Sequence, residues 1–147
     1  MSFERHGVNA WLEIEARGAS DRVALESVHG ELMTKKTALV TGAGGGLGHA
    51  TVERLVAHGW KVFEADISKE MLRSSIHDPD VVPVVMDVTD NDSIEGAYDA
   101  IASQTDRLAA IVKFAGVLGV GSLTDIPEER LARILDINVL GTYRVNT

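Results

Sequence analysis

The chain has 147 residues, 45% of them apolar, a formal net charge of −8 and no cysteine. This is enough for one domain with a real core, and it excludes disulfides and thiolate metal sites. An acidic chain with no offsetting basic run argues against nucleic acid as a partner. No apolar run approaches the ~18 residues of a membrane span, and the N-terminus lacks the basic start and apolar stretch of a signal peptide. The five histidines show no metal-ligand spacing. The expectation is a cytoplasmic protein that holds no metal and does not enter a membrane.

Residues 1–34 read as a leader whose structure the pattern leaves open. Val23, Leu25 and Val28 allow a short helix, and Met33 resembles a start residue, so the stretch is either an appended leader or an extra helix. From residue 35 strands and helices alternate. Thr37 to Val40 is a buried strand, followed by a turn in which five glycines fall within residues 41–48. Residues 47–58 carry apolar positions at helical spacing, and Gly59 closes that helix. Lys61 to Asp66 is a second strand, with Ser68 placed to cap a short helix behind it. Val81 to Met86 is a third strand, weakened by Pro83. Thr89-Asp90-Asn91-Asp92 resembles a capping box opening a helix with Ile94, Ala97, Tyr98 and Ile101 on one face. Ala109 to Ala115 is a fourth strand. A last helix starts near Pro127, with Leu131, Ile134, Leu135 and Asn138 on one face, which would bury an amide. This alternation predicts an α/β Rossmann-type, doubly wound parallel sheet of order 3-2-1-4, spanning residues 35–147 and incomplete at its C-terminus.

The glycines have a chemical use in that setting. A strand, a tight turn and a helix N-terminus aim free backbone amides and the helix dipole at one point, where an anion binds well. Gly42 would serve the turn, Gly46 the approach of a pyrophosphate, and Gly48 the packing of helix on strand. Asp66, at the end of the second strand, is placed to hydrogen-bond a ribose hydroxyl pair. Together they point to a dinucleotide.

The spacing Thr41-Gly42-x-x-x-Gly46-x-Gly48 resembles the nucleotide motif of the short-chain dehydrogenase/reductase family. The stretch Met86 to Asp90 is similar to the family segment whose Asp and next residue contact the adenine, here Asp87 and Val88. Val112 to Gly116 stands where the family has an Asn-Asn-Ala-Gly segment; Lys113 and Phe114 replace both asparagines, while Ala115 and Gly116 remain. Leu135 to Tyr143 resembles the helix carrying the catalytic-network asparagine, which falls on Asn138, at a kink with which Gly141 is compatible. The resemblance implies an NAD(P)-dependent oxidoreductase acting on a small carbonyl or alcohol. Its cofactor would lie against Gly42, Gly44, Gly45, Gly46, Leu47, Gly48, Asp66, Asp87, Val88, Ala115 and Gly116. Asp66 would repel a 2′-phosphate, so NAD is expected over NADP. The family's serine and its tyrosine with a lysine four residues on do not occur in this sequence: Tyr143 is followed by Thr147 and Tyr98 by Ala102. The expected function is thus the dinucleotide-binding half of such an enzyme, inactive alone. The alternative is a non-catalytic dinucleotide-binding or interaction module. The exposed fourth strand and the last helix predict a homo-oligomer.

Overall fold

The computed structural model describes residues 35–74 and 77–147; the leader expected over residues 1–34 lies outside them. The elements follow in chain order as β1 (Thr37–Thr41), α1 (Gly46–Ala57), β2 (Lys61–Asp66), a 3-10 turn (Met71–Ser74) and β3 (Val81–Val85). Then come α2 (Asn91–Ala102), β4 (Ala110–Lys113), a second 3-10 turn (Leu123–Asp125), α3 (Glu128–Leu135), a π-helical segment (Asp136–Gly141) and a last turn (Thr142–Arg144).

The strands form one parallel sheet in the order β3-β2-β1-β4, as expected. Leu39 of β1 lies between Phe63 and Ile111, and Thr41 between Ala65 and Lys113. β1 is central and buried throughout because both its faces are covered. Alternation along the strands sorts side chains into two cores. Leu39, Phe63, Val84 and Met86 pack with Ile94, Ala97 and Ile101 of α2. Val40, Val62 and Val81 pack on the other face with Val52 of α1 and Leu72.

The ends of the elements follow local chemistry. α1 closes on a Schellman motif: Gly59, at φ +78°, donates to the Val56 carbonyl, and the Trp60 N–H donates to the Leu55 carbonyl. Pro83 is tolerated because β3 is an edge strand, where a missing N–H need not break a ladder. The helix signals at Thr89 and Pro127 are each displaced by one residue. Asp90, not Thr89, caps α2 by accepting from the Asp92 N–H at 3.1 Å. Thr89 is instead drawn to Asp87, whose Oδ1 accepts from both its N–H and its hydroxyl. Pro127 is the N-cap of α3 rather than its first helical residue.

The face expected to be buried on α3 is open. Leu131 is 40% and Leu135 49% exposed, Ile134 is half-buried, and Asn138 is exposed. The α-helical register stops at Leu135, and the π-helical segment beyond it advances with a wider turn. Asn138 therefore does not continue the row that a straight helix would give. Among the described residues, no helix is long and apolar enough to cross a membrane.

Candidate functional site: a cleft at the carboxyl end of the sheet

The chain folds back on itself where β1 and β4 leave the sheet. Gly42 follows β1 at φ +67°, a conformation side chains rarely adopt, and a Cβ there would lie 2.5 Å from the Ala115 nitrogen. The same crowding recurs at Gly48, where a Cβ would come within 2.2 Å of the Gly42 carbonyl oxygen. Gly42 thus makes the turn and Gly48 lets α1 sit on it. Gly44 is packed in a similar way against the Met71 carbonyl.

Gly46 and Gly45 differ from these. A Cβ on Gly46 would meet nothing within 4 Å, and one on Gly45 would meet the Gly42 oxygen at an ordinary 3.4 Å. Packing within the chain does not explain glycine at 46. Gly46, Leu47 and Gly48 form the first turn of α1, whose amides have no intrahelical acceptor. Its N-cap, Gly45, supplies no side chain to take their place. Leu47 is 73% exposed.

Asp66 ends β2 beside this turn. Its Oδ2 accepts from the Gly44 N–H at 2.9 Å, and its Oδ1 accepts from the Ile67 N–H at 2.8 Å. Each oxygen keeps a lone pair for a further donor. The carboxylate therefore joins the glycine turn to the end of the second strand before any ligand arrives.

A cleft of about 300 Å³ opens from this point. Gly42, Gly45 and Asp66 line one side, and Met86, Asp87 and Val88 line another. Phe114, Ala115, Gly116 and Val117 form the segment that leaves β4. Asp87 is held by Thr89 and by its own N–H, which donates to the Ser93 hydroxyl at 2.9 Å. Lys113 and Phe114 stand where the resemblance would put two asparagines, and this segment is tied to β1 through its backbone. The Phe114 N–H donates to the Thr41 carbonyl at 3.0 Å, and the Ala115 N–H reaches the Thr41 hydroxyl at 3.5 Å.

Asn138 stands behind the Val117 segment. Its Oδ1 accepts from the Val117 N–H and its Nδ2 donates to the Val117 carbonyl, both at 2.9 Å. Its own carbonyl accepts from the Thr142 hydroxyl at 2.9 Å. The structure thus brings Gly42, Gly45, Asp66, Asp87, Val88, Ala115 and Gly116 to one cleft, with Gly44, Gly46, Leu47 and Gly48 in the adjoining turn and Asn138 behind its wall. Sequence reasoning missed Arg133 and Ile137, which also line the cleft. Their spacing of four residues was the available signal, but it carried no motif.

A parallel sheet wound with helices on both faces, opening at the carboxyl ends of its strands beside a glycine turn, defines a Rossmann-like α/β domain. The chain belongs to the short chain dehydrogenase family of oxidoreductases, whose family model matches residues 36–147. It is 31% identical over 115 residues to 3-oxoacyl-[acyl-carrier-protein] reductase FabG of Thermotoga maritima, covering 75% of this chain and 47% of the relative. It is 32% identical over 109 residues to the sorbitol dehydrogenase of Cereibacter sphaeroides, covering 73% and 43%. A short-chain dehydrogenase from Streptomyces avermitilis superposes with a TM-score of 0.71 at 28% identity, over 77% of this chain and 42% of that one. The fold is shared also with a 3-ketoacyl-(acyl-carrier-protein) reductase from Brucella melitensis, at a TM-score of 0.71 and 24% identity over 76% and 47% of the two chains. The chain spans about half the length of the curated relatives it matches.

Proposed function

We propose that residues 35–147 are the dinucleotide-binding portion of an NAD-dependent oxidoreductase acting on a small carbonyl or alcohol. The observation that carries this reading is the glycine turn joined to Asp66 through the Gly44 N–H, at the mouth of a cleft. The residues fit the group. Gly46 is glycine where the chain itself needs none, which leaves room for a pyrophosphate over the amides of Gly46, Leu47 and Gly48. The lone pairs left on Asp66 suit the two hydroxyls of a ribose. Asp87 and Val88 would line the adenine, and Ala115 and Gly116 would let backbone approach the cofactor. A bound nicotinamide dinucleotide supplies or accepts the hydride.

What this chain does is bind, orient and exclude water. Asn138 fixes the Val117 segment with its side chain, and the family resemblance implies that it would help hold a water of the proton relay. The donor of that proton in the family, a tyrosine with its lysine, is not among these 147 residues. A positioned acid or base contributes about 100- to 10,000-fold in rate, so the 147-residue chain is expected to bind cofactor without turnover. NAD is preferred over NADP because a 2′-phosphate would meet the Asp66 carboxylate. A cytoplasmic location is inferred from the absence of cysteine, and self-association from β4, an edge strand among the described residues that carries Ile111 at 36% exposure.

Calorimetric titration of the 147-residue chain with NADH and NADPH tests the reading. Tighter NADH binding is expected. Tighter NADPH binding overturns the preference, and binding of neither overturns the cofactor assignment.

A further inference from the structure

Arg133 belongs to neither the glycine turn nor the Asp66 and Asn138 contacts. It lies in the last turn of α3, exposed, and it lines the same cleft as Asp66 and Asp87. Despite those carboxylates it makes no ion pair within 4.0 Å among the described residues, where the pairs are Lys35 with Asp80, His49 with Glu53 and Arg144 with Asp136. A guanidinium that shares a cleft with two carboxylates and is bonded to neither is available for something else.

Its surroundings indicate what. Ile137 follows it by one helical step and lines the cleft too, while packing against the core that contains Met86 and Val88. Arg133 therefore stands at the rim of an apolar wall formed by Ile137, Met86 and Val88, and α3 is a different element from the glycine turn that opens α1. An apolar wall suits the face of a flat ring. A planar cation at its rim suits the π-system of that ring, because guanidinium is weakly hydrated and stacks on aromatic faces.

We propose that Arg133 is an adenine-binding residue, its guanidinium stacking on the base of the dinucleotide and closing the outer side of the cleft. This rests on the cofactor reading above. The interaction is with the base, so it is the same for every ligand that carries adenine, whatever its phosphates. It also favours ligands that present a base to that end of the cleft, which nicotinamide mononucleotide does not.

The test is calorimetry of the 147-residue chain and its Arg133→Ala, Arg133→Met and Arg133→Lys variants with NADH, ADP-ribose, 2′,5′-ADP, adenosine and NMNH. For Arg133→Ala and Arg133→Met, the dissociation constants of NADH, ADP-ribose, 2′,5′-ADP and adenosine are expected to rise together by about five- to thirty-fold, or about 1 to 2 kcal/mol at 1.4 kcal/mol per decade. Arg133→Lys should recover only part of this, and NMNH should be unaffected. A loss confined to the phosphorylated ligands and erased by added salt would make Arg133 a phosphate contact and overturn the proposal. Unchanged binding in all variants overturns it as well, with the cofactor reading intact. Failure of the unmodified chain to bind any of the adenine ligands overturns both. Circular dichroism of each variant separates these outcomes from misfolding, which an exposed position does not predict.

Discussion

Asn138 holds Val117 by both ends of its amide, accepting from the N–H through Oδ1 and donating to the carbonyl through Nδ2, each at 2.9 Å. One side chain on the π-helical segment thus stands in for a strand partner on the loop that leaves β4. The contact is tight on its other side: a Cβ on Gly116 would lie 3.2 Å from Asn138 Oδ1.

Breaking this pair should loosen the cleft wall more than it destabilises the fold. Both bonds are exposed to water, so Asn138→Ala is expected to cost about 1 kcal/mol of stability. The larger effect falls on cofactor binding, because Gly116 and Val117 line the cleft. Asn138→Asp keeps the acceptor and loses the donor, and should fall between wild type and alanine. Thermal unfolding alongside NADH titration checks the order.

Two glycines two residues apart should respond in opposite ways. Gly48→Ala forces a methyl to within 2.2 Å of the Gly42 oxygen, a backbone atom with nowhere to move. A loss of about 1 to 3 kcal/mol is expected from such overpacking. Gly46→Ala meets nothing within 4 Å and replaces a poor helix former. Its stability should rise, by up to about 1 kcal/mol. Its NADH affinity should fall by about tenfold or more, equivalent to about 1.4 kcal/mol. Urea unfolding and calorimetry on both variants separate the two functions of the turn. Equal NADH affinity in wild type and Gly46→Ala would remove the pyrophosphate from this position.

Asp66→Ser removes the acceptor of the Gly44 N–H along with the ribose partner. Charge-assisted hydrogen bonds of this kind are worth about 1.5 to 3 kcal/mol, so NADH binding should weaken by about one to two decades. NADPH binding should weaken less, since the repulsion of its phosphate is lost too. The ratio of the two dissociation constants is the quantity to measure.

Tyr98 ties α2 to the end of the chain, its hydroxyl donating to the Val145 carbonyl at 2.5 Å. Burial raises its pKa above the usual 10.0. The folded state therefore keeps the proton to higher pH than the unfolded chain does. The stability this provides is fully present below about pH 10, the unfolded value, and is lost as pH rises through the folded one. Tyr98→Phe should lower stability by about 1 kcal/mol at neutral pH and flatten the alkaline limb of a pH–stability profile. An unchanged alkaline limb would place its cause elsewhere.

Much of the fold and part of the cleft were legible in residue order. The alternation of β-rich apolar segments with helical periodicity implies a parallel sheet, and right-handed crossovers then leave few strand orders. β2 is legible to the residue because Gly59 closes the helix before it and Asp66 lies at its polar end. The turn glycines were legible because a φ of +67° at Gly42 and a sub-contact approach at Gly48 admit almost no other residue. Those are local constraints, and local constraints leave marks in sequence.

The rest depends on contacts between distant residues. Which of Thr89 and Asp90 caps α2 is decided by Asp87, whose carboxylate takes the Thr89 hydroxyl. The face of Asn138 is decided by the π-helical segment, which changes the helical phase after Leu135 and turns the amide to Val117 instead of to a core. Arg133 lines the cleft where α3 runs on into that segment, whose Ile137 packs against the core that contains Met86 and Val88. Periodicity describes one helix at a time. It carries no information on which carboxylate a guanidinium will face across a cleft, because that distance is set by the packing of elements far apart in the chain.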